Sequence, residues 1–278
     1  MRLNLCGVRG SSPAPGHDFA EVGGHTSCVA VAHDDRPPSL VLDAGTGLRS
    51  LTSVLAGRPF VGTIVLSHVH WDHVMGIPFF AAGDHPDARV TLLVPEQGTA
   101  AEALLERMMS PPTFPITPDQ LRGAWTFATY DAGDLEIEGF DVRAREIPHK
   151  GGRTMGLRVA DSSASIAYLP DHAPHLIGPG AHDVGEIHPA ARDLADGVDV
   201  LIHDAQYTRA ELPHRFGWGH AAADYAVELG SACGVGRVLL FHHDPSRTDL
   251  EVAELRDSIA PSSDLRVDVA REGDVVEL

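Results

Sequence analysis

The chain has 278 residues, 43% of them hydrophobic, and its 21 Lys and Arg stand against 39 Asp and Glu for a formal net charge of -18. That supports one sizeable core, and no apolar run approaches the ~20 residues that span a bilayer, so no membrane partner is expected. So acidic a surface repels a long polyanion, which disfavours extended nucleic-acid binding. Cys6, Cys28 and Cys233 follow no disulfide or metal spacing and read as buried thiols of a reducing, cytoplasmic compartment. The start, Met1-Arg2-Leu3-Asn4-Leu5-Cys6, is too short and too polar for a secretory signal and reads as a first strand.

In chain order, residues 2–8 read as a strand and 9–16 as a loop rich in Gly, Ser and Pro. Gly23-Gly24-His25-Thr26-Ser27 leads into a strand at 28–33; such loops serve turn chemistry and can also offer amides to an anion, and His25 reads as a pocket or a surface residue. A strand at 39–42 ends in Asp43, and Ala44-Gly45-Thr46-Gly47 turns into a helix to about residue 56, with Asp43 available as its N-cap. The apolar, β-branched run 63–66 reads as a buried strand closed by Ser67-His68-Val69-His70-Trp71-Asp72-His73. Within six positions, His68, His70, Asp72 and His73 supply the nitrogen and oxygen donors that suit zinc, manganese or iron. Packing alone gives no reason for so dense a polar cluster. Gly76-Ile77-Pro78-Phe79-Phe80 is expected to form one wall of the pocket.

A strand at 89–94 and a helix at 98–109 follow, then a proline-rich loop at 110–116, apolar enough to serve as a lid over the metals. Strands at 125–129 and 135–138 lead to 140–147, which ends in Pro148-His149. Lys150 and Arg153 then set two cations beside His149, fitted either to a phosphate or to solvent. The run 165–170 ends in Asp171, and 198–202 ends in His203-Asp204-Ala205-Gln206. Gly217-Trp218-Gly219-His220 opens a helix to about residue 233, and 237–241 ends in His242-His243.

His-x-His-x-Asp-His after an apolar strand, followed in order by strand-end His149, Asp171 and His242, resembles the signature of the metallo-β-lactamase superfamily. The resemblance implies an α/β fold, a four-layer αββα sandwich formed as one hydrolase domain over residues 1–278. Strands near 265–269 and 275–277 are expected to complete its second sheet. The resemblance also implies a binuclear centre, with His68, His70 and His149 on one metal, Asp72, His73 and His242 on the other, and Asp171 bridging them. Two divalent ions are implied, zinc foremost, with manganese or ferrous iron as alternatives. His243 is kept as a substrate-facing or supporting alternative to His242, and Asp43 resembles a group that fixes the ligand loop.

His203-Asp204-Ala205-Gln206 resembles the His-Glu-Ala-Thr motif of the phosphodiesterase and ribonuclease Z-like branch, with Asp204 in place of Glu and Gln206 in place of Thr. His220 matches that branch's His at a helix start. The resemblance implies that Asp204 and His220 form the proton donor for a leaving alkoxide, working beside Asp72. A phosphodiester needs that proton more than a lactone or thioester does. The expected activity is therefore hydrolysis of small, including cyclic, phosphodiesters by a hydroxide held between the metals, with lactone or thioester hydrolysis as the alternative. The tRNA 3′-processing endonucleases carry a long arm in the interval that here separates His149 from Asp171 by 22 positions, which ranks an RNA nuclease lower. A small-molecule substrate is expected, and a homodimer is compatible with exposed helices.

Overall fold

The computed structural model describes residues 1–259 and 265–278. Its strands are β1 (Arg2–Gly7), β2 (Cys28–Ala32), β3 (Leu40–Leu42), β4 (Val61–Val65), β5 (Arg89–Pro95), β6 (Ala124–Tyr130), β7 (Gly133–Ile137), β8 (Phe140–Ile147), β9 (Thr154–Ala160), β10 (Ser165–Leu169), β11 (Val200–Asp204), β12 (Arg237–Phe241), β13 (Arg266–Val269) and β14 (Val275–Glu277). The α-helices are α1 (Leu48–Val54), α2 (Trp71–Val74), α3 (Ala101–Glu106), α4 (Pro189–Ala195), α5 (Leu212–Arg215), α6 (Ala223–Cys233) and α7 (Asp249–Ser258).

Two seven-stranded sheets form, one in the order β14-β1-β2-β3-β4-β5-β6 and the other β13-β12-β11-β10-β9-β8-β7. Side chains alternate across a strand, and here both faces of the central strands are apolar, which buries each sheet on two sides. Inward-facing Leu3, Leu5, Leu40 and Leu42 of one sheet meet Phe140, Val142, Ile166, Tyr168, Ile202 and Phe241 of the other in a shared core. The intervening residues face outward. Ala30, Val41 and Ile64 lie under α1 and α3, while Ala167, Leu201 and Leu240 lie under α4 and α6. Helix, sheet, sheet and helix thus stack as the four layers of an αββα sandwich.

Two expectations need correction. β14 does not complete the second sheet but pairs antiparallel with β1 at the edge of the first, Leu3 opposite Val276. The expected helix at 98–109 forms only over Ala101–Glu106, because Gly98 takes a positive φ of 78° before it and Pro111 and Pro112 close the chain after it. The strands that carry the site run in register in one direction: β3, β4 and β5 are parallel, as are β10, β11 and β12. Their carboxyl ends open on one edge of the sandwich.

Candidate metal centre

Each candidate ligand leaves the sheet where a strand ends. Past β4 the chain makes one helical turn, α2, which folds Asp72 and His73 back onto the edge, with Ala44 N and the His73 carbonyl hydrogen-bonded at 2.8 Å. His149 follows β8, Asp171 follows β10 and His242 follows β12. These strand ends bring His68, His70, His149 and Asp171 into one group and Asp72, His73 and His242 into another, the ligand atoms of each lying within 4.8 Å of one another.

Asp171 stands between the groups with one oxygen toward each. Its Oδ2 lies 3.6 Å from His68 Nε2 and 3.4 Å from His149 Nε2, while Oδ1 lies 3.0 Å from His73 Nε2 and 3.3 Å from His242 Nδ1. His68 Nε2 and His242 Nε2 are buried without a hydrogen-bond partner, and His73 Nε2 and Asp171 Oδ1, 3.0 Å apart, are buried with no well-directed one. Orphaned polar atoms are costly in a protein interior. Here they converge, and a pair of divalent cations would satisfy them together, so the donor set fits two metals.

The opposite ring nitrogens are tethered, which aims the free ones. His73 Nδ1 donates to Asp43 Oδ2 at 2.7 Å, His149 Nδ1 donates to the Gly219 carbonyl at 2.7 Å, and the Nδ1 atoms of His68 and His242 lie 3.0 and 3.2 Å from the hydroxyls of Ser67 and Ser27. Asp43 is wholly buried and also accepts from Ser67 N, Ser67 Oγ and Tyr168 Oη. Asp43 and His242 hold positive φ values of 61° and 56°. Such backbone is costly for a non-glycine residue and collects at functional sites.

Charge follows the same layout. Burial, with the neighbouring imidazoles, pushes His68 well below the ordinary histidine value and His149 down to about 3, which keeps both neutral as ligands must be. For His73 burial acts in the same sense, yet Asp171, Asp72 and Asp43 outweigh it and raise its pKa well above the usual value. Burial lifts the Asp171 carboxyl to about 6 against the pull of His73. For Asp72 burial is overcome by His73 and by the Ser11 amide, which donates to Oδ2 at 2.8 Å, and the carboxyl is held far below its usual range.

His220 and Asp204 meet beside this centre. His220 Nδ1 lies 3.1 Å from Asp204 Oδ2, and the same oxygen accepts from the amides of His172 and Ala221. Burial lowers the His220 pKa, but Asp204, and then Asp171 and Asp72, outweigh it and lift it to about 8. His220, Asp72, Asp171, His70 and Trp71 line a pocket of about 460 Å³.

Other expected residues fall elsewhere. His243 is buried with Nε2 on the Ala270 carbonyl at 3.1 Å, turned from the metals, so His242 is the one that joins the cluster. His203 lies behind Asp204, its Nδ1 on the Asp204 carbonyl and its Nε2 on His172 Nδ1. Arg153 is engaged by Asp131 and Glu146, and Lys150 donates to the Gly217 carbonyl, so each cation has a protein partner in place of a phosphate. His25 bonds Thr46 Oγ1. Loop 110–116 sends Phe114 not over the metal pocket but into an apolar cavity beside it, with Ile77, Pro78 and Phe79. Sequence reasoning passed over Ser11, Ser27, Tyr168 and His172; only Ser67, inside the His-rich loop, carried a signal of its position.

Against this geometry, residues 39–243 match the family model described as the β-lactamase superfamily domain. The chain belongs to that superfamily. A protein named ribonuclease Z from Exiguobacterium sp. is 40% identical over 243 residues, covering 73% of this chain and 78% of that one. Two solved structures share the fold. The metallo-β-lactamase fold protein YhfI from Bacillus subtilis aligns with a TM-score of 0.74 at 16% identity, covering 99% of each chain. A diphosphatase of the PhnP family aligns with a TM-score of 0.71 at 18% identity, covering 100% of this chain and 97% of that one. The protein is a metal-dependent hydrolase of this superfamily, and among its described residues no helix is long and apolar enough to cross a membrane.

Proposed function

We propose that the protein is a binuclear metal-dependent phosphodiesterase for small phosphodiesters. The observation that carries the reading is the His220–Asp204 pair, 3.1 Å apart, set in the pocket that Asp171 and Asp72 also line. Asp204 takes Nδ1 of His220, which leaves Nε2 to serve a leaving group. In the metal-free protein, against burial, Asp204, then Asp171 and Asp72, lift the His220 pKa to about 8, and Asp204, which holds no metal, keeps the charged form favoured for giving a proton to a departing alkoxide. Asp204, fixed by the backbone amides of His172, Gln206 and Ala221, keeps that ring in one orientation and stabilises its charged form.

His68, His70 and His149 would hold one ion, Asp72, His73 and His242 the other, with Asp171 shared. When bound, zinc or a similar divalent pair supplies water activation and polarisation of the scissile ester. The chain's own part is to aim the ligands through Asp43, Ser67, Ser27 and Gly219, to bind the ester over Asp171, and to protonate the product from His220. A thioester's thiolate leaves without a proton, and a lactone's alkoxide is expelled from a tetrahedral intermediate, so either would use the His220–Asp204 pair less, which is why phosphorus is preferred.

A second reading, an RNA endonuclease, is favoured by the name of the 40% identical relative. Weighing against it are the net charge of -18 and the interval from His149 to Asp171, which holds only the antiparallel pair β9 and β10. Turnover of bis(p-nitrophenyl) phosphate by protein loaded with zinc or manganese tests the proposal. Activity lost in Asp72→Ala is expected, and His220→Ala should lower turnover of a cyclic phosphodiester with an alkoxide leaving group about 10²-fold or more while largely sparing bis(p-nitrophenyl) phosphate, whose nitrophenolate leaves without a proton. A loaded wild type that cleaves p-nitrophenyl esters but no phosphodiester would move the reading to acyl chemistry, and cleavage of tRNA precursors alone would move it to RNA.

A further inference from the structure

Beside the metal pocket lies a second cavity, of about 190 Å³, and the two share a wall, the side chain of Trp71. Trp71 stands between His70 and Asp72, so its Cα lies about 3.8 Å from that of each candidate ligand. Even so it is 71% exposed, and Phe79, another residue lining the cavity, is 62% exposed. Core packing explains neither ring. The other walls include Leu105, Met108, Met109 and Phe114, and Phe79 meets Phe114 edge to face with centroids 6.0 Å apart. Apart from the indole N–H and the weakly accepting thioethers, no lining side chain has a hydrogen-bonding group.

We propose that this cavity receives an apolar aromatic ring carried by the substrate, with the ring's ester lying across Trp71 over Asp171 and His220. The ester half of this inference rests on the phosphodiesterase reading; the ring half rests on the cavity walls alone. Size and chemistry select the occupant. An apolar cavity of roughly 150 Å³ accepts benzene, so this one fits a single substituted ring. A nucleobase would turn its polar edge to Leu and Met side chains and lose the hydrogen bonds that water gives it. Flexible methionines let the walls close on rings of differing substitution. Continuity with the catalytic pocket through Trp71 makes the occupant part of the substrate.

The methionines give a direct readout. Met75, Met108 and Met109 line the cavity, whereas Met1 and Met155 sit in the core between the sheets. Zinc-loaded protein with ¹³C-methyl methionine is titrated with phenol, phenylphosphonate and methylphosphonate. Phenol and phenylphosphonate are expected to shift the three cavity methyls and leave the other two, and phenylphosphonate is expected to bind about 10-fold or more tightly than methylphosphonate. Phe114→Ala, and independently Phe79→Ala, should erase that advantage while methylphosphonate affinity holds. If phenol shifts the cavity methyls but neither phosphonate binds, the ring site stands and the phosphodiesterase reading falls. If phenylphosphonate binds no better than methylphosphonate and the cavity methyls do not move, the proposal is overturned. It is equally overturned if those methyls respond to protein concentration alone, since a second copy of the chain would then cover the face.

Discussion

Replacing Asp43 by Asn tests whether the metal loop is held from behind. The carboxylate is fully buried; Oδ1 accepts from Ser67 N at 2.6 Å, and Oδ2 accepts from Ser67 Oγ, His73 Nδ1 and Tyr168 Oη at 2.8, 2.7 and 2.8 Å. Asn keeps the volume and tolerates the φ of 61°, so backbone strain is unchanged. It can still accept from Ser67 N, but its amide group then faces three donors. The two hydroxyls can turn and accept. His73 cannot, because in the metal-free protein Asp171 and Asp72 still favour its doubly protonated ring, which keeps the hydrogen on Nδ1. One buried N–H without a partner costs about 1–3 kcal/mol, and loss of the charge-assisted bond brings the expected destabilisation to roughly 2–4 kcal/mol. Zinc affinity at the His73 group should fall about 10–100-fold, as for other partners of ligating imidazoles. Urea unfolding of the metal-free protein and chelator competition measure the two effects. A variant within about 0.5 kcal/mol of wild type, a change typical of surface substitutions, that also binds zinc unchanged would refute the reasoning.

Further outcomes follow from the same geometry. In Gly10→Ala the new Cβ would lie 2.3 Å from Cδ2 of His242, so the ring must shift; calorimetric zinc titration should show the second ion weakened and the first retained. Tyr168→Phe removes one donor to Asp43 and should lower stability by about 1 kcal/mol in urea melts. In the metal-free protein His73 and His220 both have raised pKa values, so their share of stability is complete below the ordinary 6.5 and fades as pH rises, through about 8 for His220. Urea midpoints should accordingly drop between pH 6.5 and 9. In the loaded enzyme a protonated His220 puts an alkaline limb on kcat at or below about pH 8, since bound cations can only lower that pKa; Asp204→Asn should move the limb to lower pH.

The site was legible in the sequence where chemistry is local. His68, His70, Asp72 and His73 share one loop and declare themselves by residue type, whereas His149, Asp171 and His242 each follow an apolar run and were picked out among the strand ends by the family resemblance. Asp43 was legible as a partner only in outline, since its reach to Tyr168 spans 125 positions. The supports from Ser11 and Ser27 stayed hidden because loop hydrogen bonds across 61 and 215 positions leave no periodic mark. Arg153, open in the sequence between a phosphate and solvent, has acidic partners, Asp131 and Glu146, on other segments that only the fold brings alongside. The sheet order of β14 was set by pairing with β1, a contact between chain ends on which hydrophobic alternation is silent. Helix α4 escaped notice although Pro189 at its start and the cap from His188 to Ala190 N are local signals.

Anomalous scattering from crystals of the zinc-loaded protein tests the binuclear centre most directly. The account predicts two zinc peaks about 3.5–4 Å apart, one among His68, His70 and His149 and the other among Asp72, His73 and His242, with Asp171 touching both. A single peak, or a second ion held by His243 or His203 in place of His242, would contradict it.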